Sequence, residues 1–582
     1  MKSILRFSTV LASLILCCVC PQSWAAHPVA PSGTGGAVAS AAPAATASGI
    51  EMLEAGGNAV DAAVATALAL AVVHPTAGNL GGGGFAVIRV DGEIQTLDFR
   101  EVAPSAAQAD MYLDAKGEAI PDRSLIGPLA TGVPGSPHGY FELHRKYGKL
   151  PWPRVVQPAL RLAREGFVVT PRLAVSLEKS RDLLGTFEET ARVWLPGGEP
   201  PAEGSIVRLP ALARTLQTYS ESGPKAVMEG SVAKAVVVAS DRHGGVLSLA
   251  DLEDYRPVWR DPVRFKAFGW EVASMPLPSS GGIILAQTVG LLERLDWASL
   301  PRFGADRAHM LAEAWRRAYA DRFLLGDPST TEAAVEDLLS PVWLDRRAAS
   351  IDAGRATPSH EILPWPGPAA ESDQTTHLSV VDREGNAVAL TTTLNGRYGC
   401  GLLVPEAGFL LNNEMDDFAA QPGKPNQFGL VQGKANAVGP GKRMLSSMAP
   451  TVAWREGAVM AFGAPGGSRI PTGTAQVFLN LVVDGDHLQA AVDRPRVHHQ
   501  WRPDAIWAEV DALAPETRQE LVSRGHEIRK SKGVGLVQIA RRTADGRCQA
   551  VGDPRGPGSA AIVGSVGSDL EGAAGDSTFS GR

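Results

Sequence analysis

The sequence predicts an α+β protein in which helices and strands occupy different parts of the chain. Helical spacing of apolar residues dominates residues 150–350, whereas short alternating strands dominate the region after residue 375. The 582 residues are 44% hydrophobic and 20% charged, which is an ordinary globular composition with enough apolar material for a large core. The net charge of -7 and the lack of a long Lys/Arg block argue against a nucleic-acid-binding protein.

The first 25 residues have the pattern of a secretory signal peptide. Lys2 and Arg6 precede an apolar run over 10–20, which is too short to span a bilayer, and residues 23–25 (Ser-Trp-Ala) form a small-x-small cleavage pattern. We therefore expect a mature chain that starts at Ala26, is exported to the periplasm or secreted, and has no membrane span. An uncleaved membrane anchor is the alternative interpretation.

The elements follow from local patterns. Residues 26–50 are rich in Ala, Gly, Ser and Pro, which favours a mobile or loosely packed segment. An Ala-rich helix over 58–73 is expected to be buried. The other predicted helices cover 50–53, 154–165, 211–220, 305–319, 335–339 and 472–483. The predicted strands cover 86–89, 94–99, 376–382, 387–393, 409–411, 451–454 and 459–462.

Two cysteines, Cys400 and Cys548, lie outside the predicted signal peptide. Two cysteines do not make a disulfide framework, so the sequence favours two free buried thiols. Their pairing in an oxidising compartment stays open.

The peptide bond between Gln374 and Thr375 is a candidate for cleavage during maturation. A Pro-rich run over 364–370 precedes it, and an alternating strand follows it. Cleavage would give Thr375 a free α-amine beside its own hydroxyl, which is a known nucleophile–base pair. The sequence thus predicts a self-processing amidohydrolase with a large subunit over 26–374 and a small subunit over 375–582.

Seven short motifs occur in an order that resembles bacterial gamma-glutamyltransferases, which are N-terminal nucleophile hydrolases. They lie at residues 74–85, 98–101, 375–377, 393–395, 411–418, 445–448 and 465–468. The resemblance covers nearly the whole mature chain. It implies a four-layer αββα sandwich in which the two subunits stay associated as a heterodimer around one shared core.

The same resemblance implies a reaction. Thr375 would cleave γ-glutamyl amides such as glutathione through a γ-glutamyl–Thr375 ester, and the glutamyl group would pass to water or to an amino acid or peptide acceptor. No cofactor and no metal are implied. Residues 422–442 resemble a lid loop that covers the glutamyl pocket, and this loop favours small donors over long polymers.

The resemblance also assigns roles to residues. Thr393 matches a hydroxyl that hydrogen-bonds the nucleophile, and the N–H groups of Gly466 and Gly467 match an oxyanion hole. The substrate is an α-amino acid, which needs two opposite poles. The residues that match the α-carboxylate pole are Arg100, Ser446 and Ser447 with the neighbouring Asn395, and those that match the α-ammonium pole are Glu414 and Asp417.

Other interpretations remain at this stage. The nearest is an acylase acting on glutaryl or cephalosporin-type substrates, which lack the α-amine that Glu414 and Asp417 would bind. A non-catalytic, unprocessed binding protein with the same fold is the second. The glycine run over 81–84 lacks a phosphate-loop pattern, and His498 and His499 have no accompanying ligand cluster, so neither nucleotide nor metal binding is favoured.

Overall fold

The structure is a computed structural model that describes residues 29–78, 80–363, 375–421 and 433–564. The predicted signal peptide, Gln374 and residues 422–432 of the predicted lid loop lie outside these residues. The strands are β1 (Gly36–Ser40), β2 (Gly83–Val90), β3 (Glu93–Phe99), β4 (Phe167–Val168), β5 (Ile206–Val207), β6 (Val258–Arg260), β7 (Val263–Ala267), β8 (Trp270–Ser274), β9 (Thr376–Asp382), β10 (Ala387–Thr393), β11 (Leu403–Val404), β12 (Phe409–Leu410), β13 (Thr451–Arg455), β14 (Ala458–Gly463), β15 (Val497–His498), β16 (Ile506–Ala508), β17 (Ile528–Lys530), β18 (Gln538–Arg542), β19 (Cys548–Val551) and β20 (Ser559–Ile562).

The helices alternate with these strands. They are α1 (Pro43–Glu54), α2 (Ala59–Val73), α3 (Ser136–Tyr147), α4 (Trp152–Glu165), α5 (Pro171–Lys179), α6 (Arg181–Gly185), α7 (Glu188–Trp194), α8 (Pro210–Ser222), α9 (Lys225–Met228), α10 (Gly230–Arg242), α11 (Leu249–Asp254), α12 (Gly281–Arg294), α13 (Ala305–Asp321), α14 (Val335–Leu338), α15 (Pro341–Ala349), α16 (Arg469–Val482), α17 (Leu488–Asp493) and α18 (Pro515–Ser523).

Two antiparallel sheets form the centre of the molecule. The first has the strand order β20-β1-β9-β10-β2-β3-β6, and the second has the order β19-β18-β14-β13-β8-β7. In β10, Val388 and Leu390 pack with helices of the first outer layer, which includes α1 and α2, whereas Ala387 and Ala389 face the second sheet. Helices α12 and α16 cover the far face of the second sheet. The alternation of side chains along each strand thus gives the predicted αββα sandwich.

Both sheets contain strands from either side of Thr375. In the first sheet, β1, β2, β3 and β6 precede this residue and β9, β10 and β20 follow it; in the second, β7 and β8 precede it and the other four strands follow. Neither half has a complete sheet of its own, so the two halves share one core.

The Ala-rich helix α2 is buried along its entire length, as predicted. Its start is fixed by a capping box: the side chain of Asn58 accepts from the N–H groups of Val60 and Asp61, and the Asp61 carboxylate accepts from the N–H of Asn58 at 2.9 Å. Its apolar side chains pack on the outward face of the first sheet.

The prediction of a loosely packed segment over 26–50 was wrong for its described part. Residues 36–40 form β1, which is buried between β9 and β20, and α1 begins at Pro43. The small residues serve close packing instead of mobility. A Cβ at Gly49 of α1 would lie 2.3 Å from the hydroxyl oxygen of Thr66 on α2, so the two helices approach closely only because residue 49 is glycine.

Cys400 and Cys548 are both buried free thiols. Among the described residues, no helix combines the length and apolar character needed to cross a bilayer.

Candidate active site

Thr375 lies immediately before β9 and is half-buried. Strand β10 pairs with β9 so that Thr392 lies opposite Thr376, and one further step of this register brings Thr393 opposite Thr375. The N–H of Asn395 donates to the Thr393 hydroxyl oxygen at 2.7 Å, which fixes that side chain. The two hydroxyls that the sequence predicts to work together therefore lie on neighbouring strands.

Thr375 and Thr393 line a small cavity with most of the other predicted site residues. The cavity volume is only about 10 Å³, which is about enough to hold one water molecule. Its wall contains Arg100, Thr375, Thr393, Glu414, Asp417, Ser446, Ser447, Met448, Gly467 and Ile470. Asn395 and Gly466 are sequence neighbours of lining residues but do not line the cavity themselves. These residues come from six separate segments of the chain.

Arg100 is fully buried at the end of β3 and is held by two carboxylates. One terminal nitrogen donates to Glu414 and the other to Asp417. The Glu101 carboxylate lies 3.7 Å from the guanidinium, and the Nε of Arg100 donates to the carbonyl oxygen of Met444 at 3.3 Å. Arg100 and the two carboxylates, which were expected at opposite poles of a bound substrate, contact each other directly in the structure.

The cluster holds more carboxylates than cations. Burial raises the pKa of Glu101 and raises that of Glu414 well above its usual range, although the Arg100 guanidinium opposes both shifts. Three carboxyl groups face one guanidinium, so without a second cation the raised pKa favours a proton on Glu414. An ammonium group entering this cavity would supply that cation and favour the ionised carboxylate.

The short 3₁₀ helix over Glu414–Asp417 carries both carboxylates, and Asn412 holds it in place. The Asn412 side-chain oxygen accepts from the N–H of Glu414 at 3.0 Å and from that of Gly132 at 2.9 Å, while its amide donates to the carbonyl oxygen of Gly81 at 2.8 Å. Glycine is required at position 81 for another reason, since a Cβ there would lie 2.1 Å from the carbonyl oxygen of Leu410.

Ser446 and Ser447 come from a segment of the chain far from Arg100, but they line the same cavity. The carbonyl oxygen of Ser446 accepts from the N–H and from the hydroxyl of Ser280, both at 2.8 Å. Arg322 donates to the hydroxyls of Ser280 at 2.8 Å and of Ser447 at 3.4 Å. Sequence reasoning missed Arg322, because it lies in a helical region without a motif.

Gly466 and Gly467 form the turn between β14 and α16. Their φ angles of 128° and 55° lie in the region that favours glycine. Within the described part of the chain, neither N–H donates to another residue. Gly467 lines the cavity, and α16 begins two residues later, so its positive N-terminal end adds to the potential of these amides.

His377 supports the strand that follows Thr375. Its ring nitrogens contact the hydroxyls of Thr391 at 2.8 Å and Ser379 at 3.0 Å, and burial lowers its pKa to about 3. The imidazole is therefore neutral at pH 7 and serves as a hydrogen-bonding strut between strands.

We expect His377→Gln to change how stability depends on pH. The folded-state pKa lies below the unfolded value of about 6.5, so unfolding takes up a proton in acid, and this contribution to stability is lost as the pH falls. Between pH 7 and pH 5 the wild type should lose about 2 kcal/mol more unfolding free energy than the Gln variant. Urea unfolding at both pH values measures the difference; parallel profiles would show that His377 is accessible to protons in the fold.

Metal-binding groups elsewhere are already engaged. Among the described residues, His309, Glu313 and His526 have ligand atoms within 4.8 Å of one another. The Glu313 carboxylate is bound by Arg316 and Arg317, however, and the His309 ring hydrogen-bonds His526 at 2.7 Å. This donor set does not suit a cation.

The family model described as Gamma-glutamyltranspeptidase matches residues 45–563. The chain belongs to the gamma-glutamyltranspeptidase family. This confirms the resemblance found in the sequence, and six of the seven motifs that carry it contribute at least one residue to the wall of the small cavity.

Individual relatives agree with the family. The chain is 42% identical over 524 residues to the glutathione hydrolase proenzyme of Escherichia coli, which covers 89% of this chain and 90% of the relative. Among solved structures, gamma-glutamyltranspeptidase from Helicobacter pylori is 38% identical, with a TM-score of 0.55, over 55% of this chain and 93% of that one. A cephalosporin acylase from Bacillus halodurans is 29% identical, with a TM-score of 0.82, over 93% and 99%. This gamma-glutamyltranspeptidase fold thus also serves acylases.

Proposed function

We propose that the chain is a self-processing gamma-glutamyltransferase that cleaves γ-glutamyl amides such as glutathione. The observation that carries the proposal is the small cavity, where the hydroxyl of Thr375 shares one wall with Arg100, Glu414 and Asp417. A nucleophile beside a set of charges suited to an α-amino acid matches a γ-glutamyl donor. The names of relatives such as the E. coli glutathione hydrolase proenzyme support the same substrate class.

Processing comes first. In the precursor, the Thr375 hydroxyl would attack the carbonyl carbon of Gln374, the C–N bond would break, and the chain would be joined through an ester to Thr375. The hydroxyl proton would pass to the nitrogen as the C–N bond breaks, which frees the α-amine of Thr375. Water would then hydrolyse the ester and release the Thr375 hydroxyl and the carboxylate of Gln374. The products are the subunits 26–374 and 375–582. Their shared sheets support a heterodimer that stays together after the cut.

Donor binding would exchange partners within the charged cluster. The donor's α-carboxylate would take the guanidinium of Arg100, with the Ser446 and Ser447 hydroxyls beside it. Its α-ammonium would take the carboxylates of Glu414 and Asp417. The donor's carboxylate and ammonium would replace the contacts of Arg100 with Glu414 and Asp417, so each buried charge would keep a partner of opposite sign.

Acylation would follow. The Thr375 oxygen attacks the γ-carbonyl carbon, and its proton passes to the α-amine of Thr375, which then delivers it to the departing nitrogen as the C–N bond breaks. The amides of Gly466 and Gly467 stabilise the negative oxygen of the tetrahedral intermediate. The Thr393 hydroxyl orients the nucleophile. Water or the amine of an acceptor then attacks the ester and restores Thr375.

An acylase acting on glutaryl or cephalosporin-type substrates is the second candidate, because the cephalosporin acylase from B. halodurans matches this fold with a TM-score of 0.82. A glutaryl group has no α-ammonium. A glutaryl carboxylate that takes Arg100 would leave Glu414 and Asp417 without a cation, so each would have to stay buried and unpaired or take up a proton, which costs free energy. The charge balance of the cavity therefore favours γ-glutamyl donors.

Export to the periplasm after removal of residues 1–25 is also part of this proposal.

The substitution Asp417→Asn tests the ammonium pole. We expect KM for γ-glutamyl-p-nitroanilide to rise about tenfold, because a charged hydrogen-bond partner of the donor becomes neutral, while processing at Thr375 continues. Asp416→Asn is the matched control: its carboxylate accepts from the Ser124 hydroxyl at 2.6 Å and does not line the cavity. Initial rates and fragment masses measure both effects. An unchanged KM in the Asp417 variant would remove this residue from the donor site.

A further inference from the structure

A second, much larger cavity meets Thr375 from another direction. Its volume is about 1090 Å³, and its wall includes Thr375 and Thr376 together with residues of α5 and the segment after β10. Among the described residues, Thr375 is the one that lines both cavities. If the α-amino acid end of a donor fills the small cavity, the part beyond the scissile amide must extend into the large one.

The charge of the large cavity is one-sided. Four cationic side chains line it, and the described residues of its wall include no Asp or Glu; the four are Arg172, Lys179, Arg397 and Arg555. Arg555 is neutralised, because it hydrogen-bonds Glu509 at 2.8 Å and Asp553 at 3.2 Å. The other three have no carboxylate partner among the described residues.

Two of these three cations make no direct bond at all within the described chain. Arg397 and Lys179 are exposed and form neither a hydrogen bond nor an ion pair there, while Arg172 donates only to the carbonyl oxygens of Pro554 and Arg555. The Arg397 segment is tied to α5, which carries Arg172 and Lys179, by the Tyr398 hydroxyl that bonds Ser176 at 3.0 Å. The three cations thus share one region of the wall.

We propose that the large cavity binds the free carboxylate of the peptide on the leaving side, and that Arg397 selects for it. This inference rests on the proposed γ-glutamyl transfer. Beyond its γ-carbonyl, glutathione carries two residues that end in a carboxylate and extend at most about 7 Å, well within a cavity of this size. An acceptor peptide attacks the ester along the path by which the leaving peptide departed, so the same cations select acceptors with a C-terminal carboxylate.

Arg397 is the best candidate because of its position in the chain. Arg397 lies only four residues after Thr393, which is paired with Thr375. The N–H of Tyr398, the residue after Arg397, donates to the carbonyl oxygen of Thr76 at 3.2 Å, and Thr76 also lines the large cavity. A planar guanidinium without a partner suits a carboxylate. The cation is therefore presented into the cavity by the same segment that positions the catalytic hydroxyl.

The test compares two donors that differ only in this carboxylate, glutathione and its glycyl ethyl ester, by the rate of glutamate release. In Arg397→Gln, the ratio of kcat/KM for glutathione to that for the ester should fall about fivefold, the size expected for a partly exposed ion pair. Arg397→Lys should retain most of the ratio. Arg355→Gln is the matched control, since Arg355 is also exposed, has no hydrogen bond or ion pair among the described residues, and lies outside both cavities.

The outcomes separate the two proposals. In the first case the wild type cleaves both donors. If the ratio of the two kcat/KM values is then unchanged in Arg397→Gln, or falls equally in the Arg355→Gln control, the role of Arg397 is overturned and the proposed γ-glutamyltransferase activity stands. A wild type that is processed but cleaves neither donor would overturn the proposed function and this inference with it. Acceptor measurements provide a second readout: the KM of glycylglycine should rise in Arg397→Gln, and that of glycylglycinamide should not.

Discussion

The substitution Thr375→Ala should leave the protein as one uncut chain without γ-glutamyl transfer activity. The wild type should instead show fragments of about 37 and 22 kDa, scaled by residue number from 61.1 kDa, and the smaller should begin Thr-Thr-His. In the proposed mechanism one hydroxyl is the nucleophile of both processing and catalysis, so its removal should stop both. Activity should fall by at least about 1000-fold, as expected for the loss of a nucleophile.

Intact mass, N-terminal sequencing and an assay with γ-glutamyl-p-nitroanilide measure these effects. Thr376→Ala is the matched control, since Thr376 is the next residue and its buried hydroxyl has no hydrogen-bond partner in the described chain. That variant should still be cut and active. A Thr375→Ala chain that is cut at the same bond would show that another group performs the processing.

The sequence predicted the fold best where local pattern and tertiary packing agree. Strands 376–382 and 387–393 were placed at their observed bounds, because alternating side chains and a turn signal coincide there. The segment over 36–54 was misjudged, since its small residues look like a linker in isolation. Their role depends on packing against α2 and β9. A local sequence pattern does not reveal this packing, because it forms only when the chain folds.

For the site, motifs located the cavity but not its internal charge pairing. The list of Arg100, Glu414 and Asp417 came from the resemblance, whereas their direct contact depends on how β3 and the turn over 414–417 converge. Arg322 and the cations of the large cavity could not be found in the same way. They belong to no motif, and only the folded chain brings Arg172 and Arg397 to one wall.

The substitution Arg100→Lys should have the second large effect on activity, because two carboxylates converge on this side chain. Lysine keeps one positive charge against Glu414 and Asp417, but it replaces a planar fork with a point charge and cannot hold two partners in fixed directions. We expect kcat/KM for γ-glutamyl-p-nitroanilide to fall about 100-fold, mainly through KM, because the donor's α-carboxylate loses its two-pronged bond. Processing should continue, since it needs Thr375 and not a bound donor.

Lysine is the informative replacement because a neutral side chain would confound binding with folding. Removing the charge would leave buried carboxylates uncompensated, at a cost of about 3–5 kcal/mol, and the variant would lose activity by unfolding. Arg307→Lys controls for the general cost of this exchange at a buried ion pair, since Arg307 bonds Asp484 at 2.7 Å outside the cavity. Initial rates, thermal melting and fragment masses are compared between Arg100→Lys and Arg307→Lys. Equal losses of activity in the two variants would mean that Arg100 stabilises the fold and does not bind the donor.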